Sequence, residues 1–141
     1  MTYERPYRGL IERLKGVGLR PTRQRLALGK LLFEANGQHC DRHVTAEQLH
    51  GEAIGRGVRV SLATVYNTLH QFTESGLLRE VVVDSGRSYF DTNTSEHHHF
   101  FFENSGRLQD IESSDLLIGN LPASPEGHAI SRVDVIVRLK A

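Results

Sequence analysis

Three consecutive imidazoles, His97-His98-His99, stand inside the stretch Ser95-Glu96-His97-His98-His99-Phe100-Phe101-Phe102. The aromatic run that follows them is stopped by Asn104-Ser105-Gly106 and has the composition of a strand. Side chains alternate along a strand, so His97 and His99 face one way and His98 the other. Two imidazoles one residue apart on one face can grip a single ion, which leaves His98 for a different partner. Neutral imidazole is the commonest metal ligand and suits zinc, iron and copper. The plainer alternative is a polar strand start with solvated histidines, since a histidine-rich tract is a compositional signal only.

Whatever the triplet holds has to be positioned by the rest of a 141-residue chain, enough for one ordinary domain or two small ones. Hydrophobic residues at 38% and charged residues at 24% give a globular balance and exclude a disordered polyelectrolyte. No apolar run approaches the roughly 18 residues of a membrane helix. Met1-Thr2-Tyr3-Glu4-Arg5 lacks a secretory pattern, and a single cysteine, Cys40, cannot form an internal disulfide. The expectation is a cytoplasmic protein with no membrane partner.

Net charge is zero, but it is unevenly spread. Residues 1–84 carry 12 Lys and Arg against 9 Asp and Glu, and residues 85–141 carry 5 against 8. A basic front half, densest at Arg5, Arg8, Arg13, Lys15, Arg20, Arg23, Arg25 and Lys30, suits an anion-binding module. A solvated helix surface accounts for the same count.

The front half reads as short helices. Tyr7, Leu10, Ile11 and Leu14 have helical spacing over Arg5 to Gly16. Thr22 caps a second helix over Arg23 to Ala35. Thr45 and Gln48 form a capping box that opens a third, to about Ile54. Ser61 caps a fourth, where Leu62, Val65, Leu69 and Phe72 make an apolar stripe and Ala63, Tyr66, Asn67 and His70 lie on the other side. Leu77 to Val83 and Arg87 to Phe90 then flank the turn Asp84-Ser85-Gly86. Short helices followed by a hairpin is the order of a winged helix-turn-helix.

The back half is strand-dominated. Phe100 to Glu103 and Arg107 to Ile111 make a second hairpin, Glu112 to Asn120 is expected as a short helix, and Ile130 to Leu139 alternates as a strand. Elements this few bury little apolar area alone, so a second copy is expected to complete the core. The fold class is α+β: a winged helix over residues 1–90, with a hinge from about residue 84, and a small α/β dimerisation domain over 91–141.

Four stretches together resemble the ferric uptake regulator family: Gly18-Leu19-Arg20-Pro21-Thr22-Arg23-Gln24-Arg25, His43-Val44-Thr45-Ala46-Glu47-Gln48-Leu49, Val60-Ser61-Leu62-Ala63-Thr64-Val65-Tyr66-Asn67-Thr68-Leu69 and Gly76-Leu77-Leu78. The resemblance covers about residues 10–112 and implies a dimeric, metal-dependent transcription factor. It also implies a regulatory site for iron, manganese or zinc built from His43, Asp91, His97, His99 and Asp110. Family members usually hold a structural zinc through a Cys-x-x-Cys pair. Here those positions are Phe102 and Ser105, so a structural four-cysteine zinc is excluded. Phe102 packing on Phe100, its neighbour on the same face, is expected in its place.

His98, the absent cysteines and the shortened helix before Pro122 are similar to the iron response regulator branch. That resemblance implies haem as the regulatory ligand, with His97, His98 and His99 implicated in holding it, and DNA binding that is lost when haem is plentiful. Phe100, Phe101 and Phe102 are available for apolar contact with a porphyrin or as core. The Cys-Pro haem motif of some members is absent, since Asp41 follows Cys40. The nearest alternative is a repressor activated by ferrous iron or manganese, or a peroxide sensor, on the same five ligands.

The resemblance assigns the fourth helix to the major groove, with Ala63, Thr64, Tyr66 and Asn67 towards the DNA. Tyr66 suits a thymine methyl and Asn67 an adenine edge. Arg20 matches a minor-groove residue, favoured where an A·T-rich groove is narrow. Arg23, Arg25 and Lys15 serve phosphates or only solvate the surface. A homodimer implies a pseudo-palindromic promoter site. Rival classes are a non-haem iron enzyme and a metal-storage or haem-carrier module. The first lacks a visible substrate pocket, and the second leaves the Ala63-to-Asn67 face without purpose.

Overall fold

The computed structural model describes residues 8–34 and 42–141. Cys40, the start of the first expected helix and most of the polar connection after the second lie outside them. Two compact units divide at Thr94 and Ser95. Asp91, placed by sequence with the second domain, is therefore on the last strand of the first.

In the first unit, α1 (Arg8–Gly16), α2 (Arg23–Phe33), α3 (Ala46–Gly55) and α4 (Leu62–Glu74) surround one apolar core. The starts of α2, α3 and α4 are set locally. Thr22 Oγ1 accepts the Arg25 amide at 3.3 Å and Ser61 Oγ accepts the Thr64 amide at 3.1 Å. Thr45 and Gln48 exchange bonds of 3.1 and 3.0 Å in a reciprocal capping box. The expected stripe on α4 faces inward, with Val65, Leu69 and Phe72 fully buried against Leu32, Phe33 and Leu49. Gly29 lets α1 approach α2, since a Cβ there would meet Leu10 Cδ2 at 3.0 Å. Gly76, at φ +86°, ends α4 in the left-handed conformation that glycine adopts freely.

A three-stranded antiparallel sheet completes the unit, in the order β1 (His43–Val44), β3 (Arg87–Asp91), β2 (Arg79–Asp84). Its register sets His43 opposite Asp91 and Asp91 opposite Arg79, a single row across all three strands. The turn at Ser85 and Gly86 is the wing. Asp84 Oδ1 accepts the Gly86 amide at 3.1 Å, and Asp84 Oδ2 pairs with Arg87 at 2.7 Å.

The second unit is built on β4 (His98–Phe102), flanked by antiparallel β5 (Arg107–Ile111) and parallel β6 (Ile136–Leu139). Phe101 is its fully buried centre, with Leu108 and Ile111. Two expectations are corrected here. Glu112 to Asn120 makes only one 3-10 turn, Ser113–Asp115, before the chain extends. Serines, Gly119 and Asn120 are weak helix formers, and Leu116, Leu117 and Ile118 are adjacent rather than spaced for one helix face. The expected strand Ile130 to Leu139 shortens to Ile136–Leu139, because its ladder can run only as far as β4 offers partners. Leu117, Ile118, Leu121 and Ile130 remain exposed in the intervening chain.

The phenylalanines also divide. Phe101 is core and unavailable to a porphyrin, whereas Phe100 and Phe102 are half-buried. The Phe102 ring is covered by the Arg107 guanidinium, 4.3 Å from its centroid.

Candidate metal centre and DNA-reading face

Alternation on β4 separates the three imidazoles as the sequence requires. His97 and His99 are buried, their rings 4.5 Å apart, and both Nε2 atoms approach one carboxylate oxygen, Asp110 Oδ1, at 3.3 and 3.2 Å. Pairing of His99 with Asp110 across β4 and β5 brings the acid to this face.

Hydrogen bonds fix the proton of His97. Its Nδ1 lies 2.7 Å from the Ser95 carbonyl oxygen, which can only accept, so Nδ1 carries the hydrogen. In the neutral ring the Nε2 lone pair then points at a carboxylate oxygen. That juxtaposition is favourable only if a cation, a proton or a metal ion, lies between them. A backbone carbonyl holding the far ring nitrogen is the usual support of a ligating histidine. Two imidazole nitrogens and one carboxylate oxygen form a borderline donor set that fits manganese, iron or zinc.

His98 is held the other way. The Val135 amide donates to its Nδ1 at 3.1 Å, so the neutral ring carries its proton on Nε2. It lines a cavity of about 310 Å³ with Glu96, Leu116, Ile118, Ile130 and Val133. Nε2 can take a metal from this tautomer only if the ring loses that proton or the Val135 bond breaks.

In the first unit, His43 is half-buried and Asp91 fully buried beside it. Asp91 Oδ1 accepts the Asn93 amide at 2.9 Å. Arg79, buried on the other flank of Asp91, offers the opposite charge that a desolvated carboxylate needs. Arg42 braces this corner. Its backbone bonds Thr92, and its guanidinium reaches the Leu31 carbonyl at 2.8 Å and Glu52 at 2.9 Å. Of the five expected ligands, His43 and Asp91 belong to the first unit and His97, His99 and Asp110 to the second.

On α4, Ala63, Tyr66 and Asn67 are exposed as expected, and so is Arg20. Thr64 is half-buried and engaged in the cap, its Oγ1 accepting from Ser61 Oγ at 2.9 Å. Arg25 is not a free surface cation. It makes two bonds to Gln71 Oε1, at 3.2 and 3.0 Å, and ties α2 to α4, while Arg13 stacks on Phe33 at 4.2 Å.

Sequence reasoning placed His70 on this face but missed Glu47 as a partner of Tyr66. The Tyr66 hydroxyl donates to Glu47 Oε1 at 2.6 Å, and its ring stacks on His70 with centroids 6.4 Å apart. The i, i+4 spacing of Tyr66 and His70 was a readable signal for the stack. Nothing in the sequence paired Tyr66 with Glu47.

Among curated proteins, the peroxide operon regulator of Bacillus subtilis is 38% identical over 101 residues, covering 72% of this chain and 66% of that protein. The ferric uptake regulation protein of Bordetella parapertussis is 32% identical over 104 residues, 73% of this chain and 72% of that protein. The matches thus span about two thirds of these relatives' length. The crystal structure of the Vibrio cholerae ferric uptake regulator superposes with a TM-score of 0.71, covering 94% of this chain and 99% of that one at 22% identity, a likeness of fold. A model of the ferric uptake regulator family matches residues 16–135, and this chain belongs to that family.

Proposed function

We propose that this protein is a homodimeric, metal-responsive transcriptional regulator that binds promoter DNA in the cytoplasm and catalyses no reaction. The observation that carries the metal reading is the convergence of His97 Nε2 and His99 Nε2 on Asp110 Oδ1, with His97 Nδ1 held by a carbonyl. His43 and Asp91, opposed on β1 and β3, are the other two residues of the expected ligand set. A divalent ion, when bound, supplies positive charge to this cluster of imidazoles and carboxylates. The exposed Leu117, Ile118, Leu121 and Ile130 are the apolar surface assigned to the second copy.

α4 enters the major groove, with Tyr66 towards a thymine methyl and Asn67 towards an adenine edge, and Arg20 reaches the minor groove of an A·T-rich, pseudo-palindromic site. No helix among the described residues is long and apolar enough to cross a membrane. The second reading is an iron response regulator whose DNA binding haem abolishes through His97, His98 and His99. The cavity beside His98, where Leu116, Ile118, Ile130 and Val133 stand with Glu96 and Arg132, favours it, and the bond from Val135 to His98 Nδ1 weighs against it.

The deciding experiment is a DNA-binding titration on an A·T-rich pseudo-palindrome at fixed salt, metal-free, then with manganese, then with haem. Binding that appears with manganese and ignores haem is expected. Binding without metal that haem abolishes would replace this reading with the second one.

A further inference from the structure

We propose that Glu47 is a specificity-determining positioning residue, whose hydrogen bond to the Tyr66 hydroxyl fixes the ring that reads thymine. The proposal rests on the assignment of α4 to the major groove and deepens it. The contact runs between elements, from α4 to the first turn of α3. The Tyr66 ring also stacks on His70 with an interplanar angle of 20°. His70 in turn sets its edge on Phe90 at 5.6 Å and 79°, and Phe90 is core at 1% exposure. An exposed tyrosine on a helix otherwise samples several rotamers. This one is held between a carboxylate and a ring anchored on the sheet.

Two consequences follow for base reading. The hydroxyl proton is committed to Glu47, so the ring presents carbon to the DNA. Apolar contact in the major groove singles out the 5-methyl group of thymine. Glu47 also places a negative charge beside a phosphate-binding face, which by itself opposes DNA binding. Its position therefore has to serve something other than affinity, and the helix N-terminus keeps it an ionised acceptor. In keeping with the contact, the hydroxyl of Tyr66 is pushed above its usual range by Glu47, and the Glu47 carboxyl is held below its own by Tyr66. Beside the pair, a cavity of about 440 Å³ is lined by Glu47, Tyr66, His70, Arg87 and Phe90, between the recognition helix and the wing.

The test uses the full chain with manganese, at fixed salt, on an A·T-rich operator and on a copy carrying deoxyuridine for thymine. Removing the methyl group is expected to weaken wild-type binding about four-fold. Glu47→Gln, whose amide oxygen still accepts the hydroxyl, should keep that ratio and bind both DNAs more tightly. Glu47→Ala and Tyr66→Phe should each bring the ratio to one, and the double variant should be no worse than either. Ultraviolet titration of the tyrosines reads the pair without DNA: one late-ionising hydroxyl in the wild type should ionise earlier in Glu47→Ala. Glu47→Ala with the wild-type ratio overturns the proposal while leaving the DNA reading intact. So does Tyr66→Phe binding far more weakly than Glu47→Ala, since the hydroxyl then meets a base directly. A folded wild type that binds no operator but shows the late hydroxyl overturns the DNA reading itself and the proposal with it.

Discussion

The Val135 amide donates to His98 Nδ1 at 3.1 Å, and so places the proton of the neutral ring on Nε2, the nitrogen through which a porphyrin iron would be held. His97, one residue away, has the opposite tautomer because a carbonyl accepts from its Nδ1. Adjacent histidines are thereby prepared for different tasks. His97 is ready to ligate, and His98 ties β4 to the chain leading into β6. Haem added to the protein should therefore show a Soret spectrum that His98→Ala leaves unchanged. Disappearance of that band in His98→Ala would restore the haem reading. Manganese affinity should be the same in both proteins.

Metal affinity should depend on the whole ligand set. His97→Ala, His99→Ala and Asp110→Ala are each expected to weaken manganese binding more than about ten-fold, the lower end for changes even in supporting groups. His43→Ala and Asp91→Ala should do the same, by calorimetry on the purified chain. If those two bind manganese like the wild type, the ion belongs to the second unit alone, and His43 and Asp91 are not ligands.

The basic residues should separate by experiment. Arg20 and Arg23 are exposed, and removing either should lower the slope of log affinity against log salt by about 0.9 for each phosphate the side chain had neutralised. Arg25 instead spans α2 and α4 through Gln71. Arg25→Ala should cost about 1–3 kcal/mol of stability, read by denaturant unfolding. A salt slope reduced in Arg25→Ala with stability unchanged would return it to the phosphates.

Acid should weaken the Glu47–Tyr66 pair in a defined direction. The hydrogen bond from Tyr66 holds the folded-state pKa of Glu47 below the ordinary value of 4.5. A depressed carboxyl contributes stability that is present above the unfolded-state pKa and is lost as pH falls through the folded one. Tyr66→Phe should therefore be less stable than the wild type at neutral pH, by a small amount given the exposure of the pair. The two should converge as pH falls through the folded-state pKa of Glu47, which lies below its ordinary value of 4.5. A stability difference that stays constant down to about pH 3 would show that it does not come from the ionised Glu47.

Much of the first unit was legible because its signals are local. Thr22, Thr45 with Gln48, and Ser61 each close a hydrogen bond within three residues, so a helix start is written where it occurs. The stripe Val65, Leu69 and Phe72 needed only the helical period, and the opposed faces of His97 and His98 only the strand period. Between residues 112 and 135 the same approach failed. Leu116, Leu117 and Ile118 are apolar without a period, so the sequence named neither a helix face nor a strand partner.

What the tertiary structure decided is every relation between residues far apart in the chain. Val135 lies 37 residues from His98, Gln71 46 from Arg25, and Tyr66 19 from Glu47. A tautomer depends on whether a donor or an acceptor arrives at a ring nitrogen, and residue types alone do not say which. Sequence by itself determined which atoms were available to bind an ion or a base. Only folding set which of them already had a proton or a partner, because hydrogen bonds form between neighbours in space.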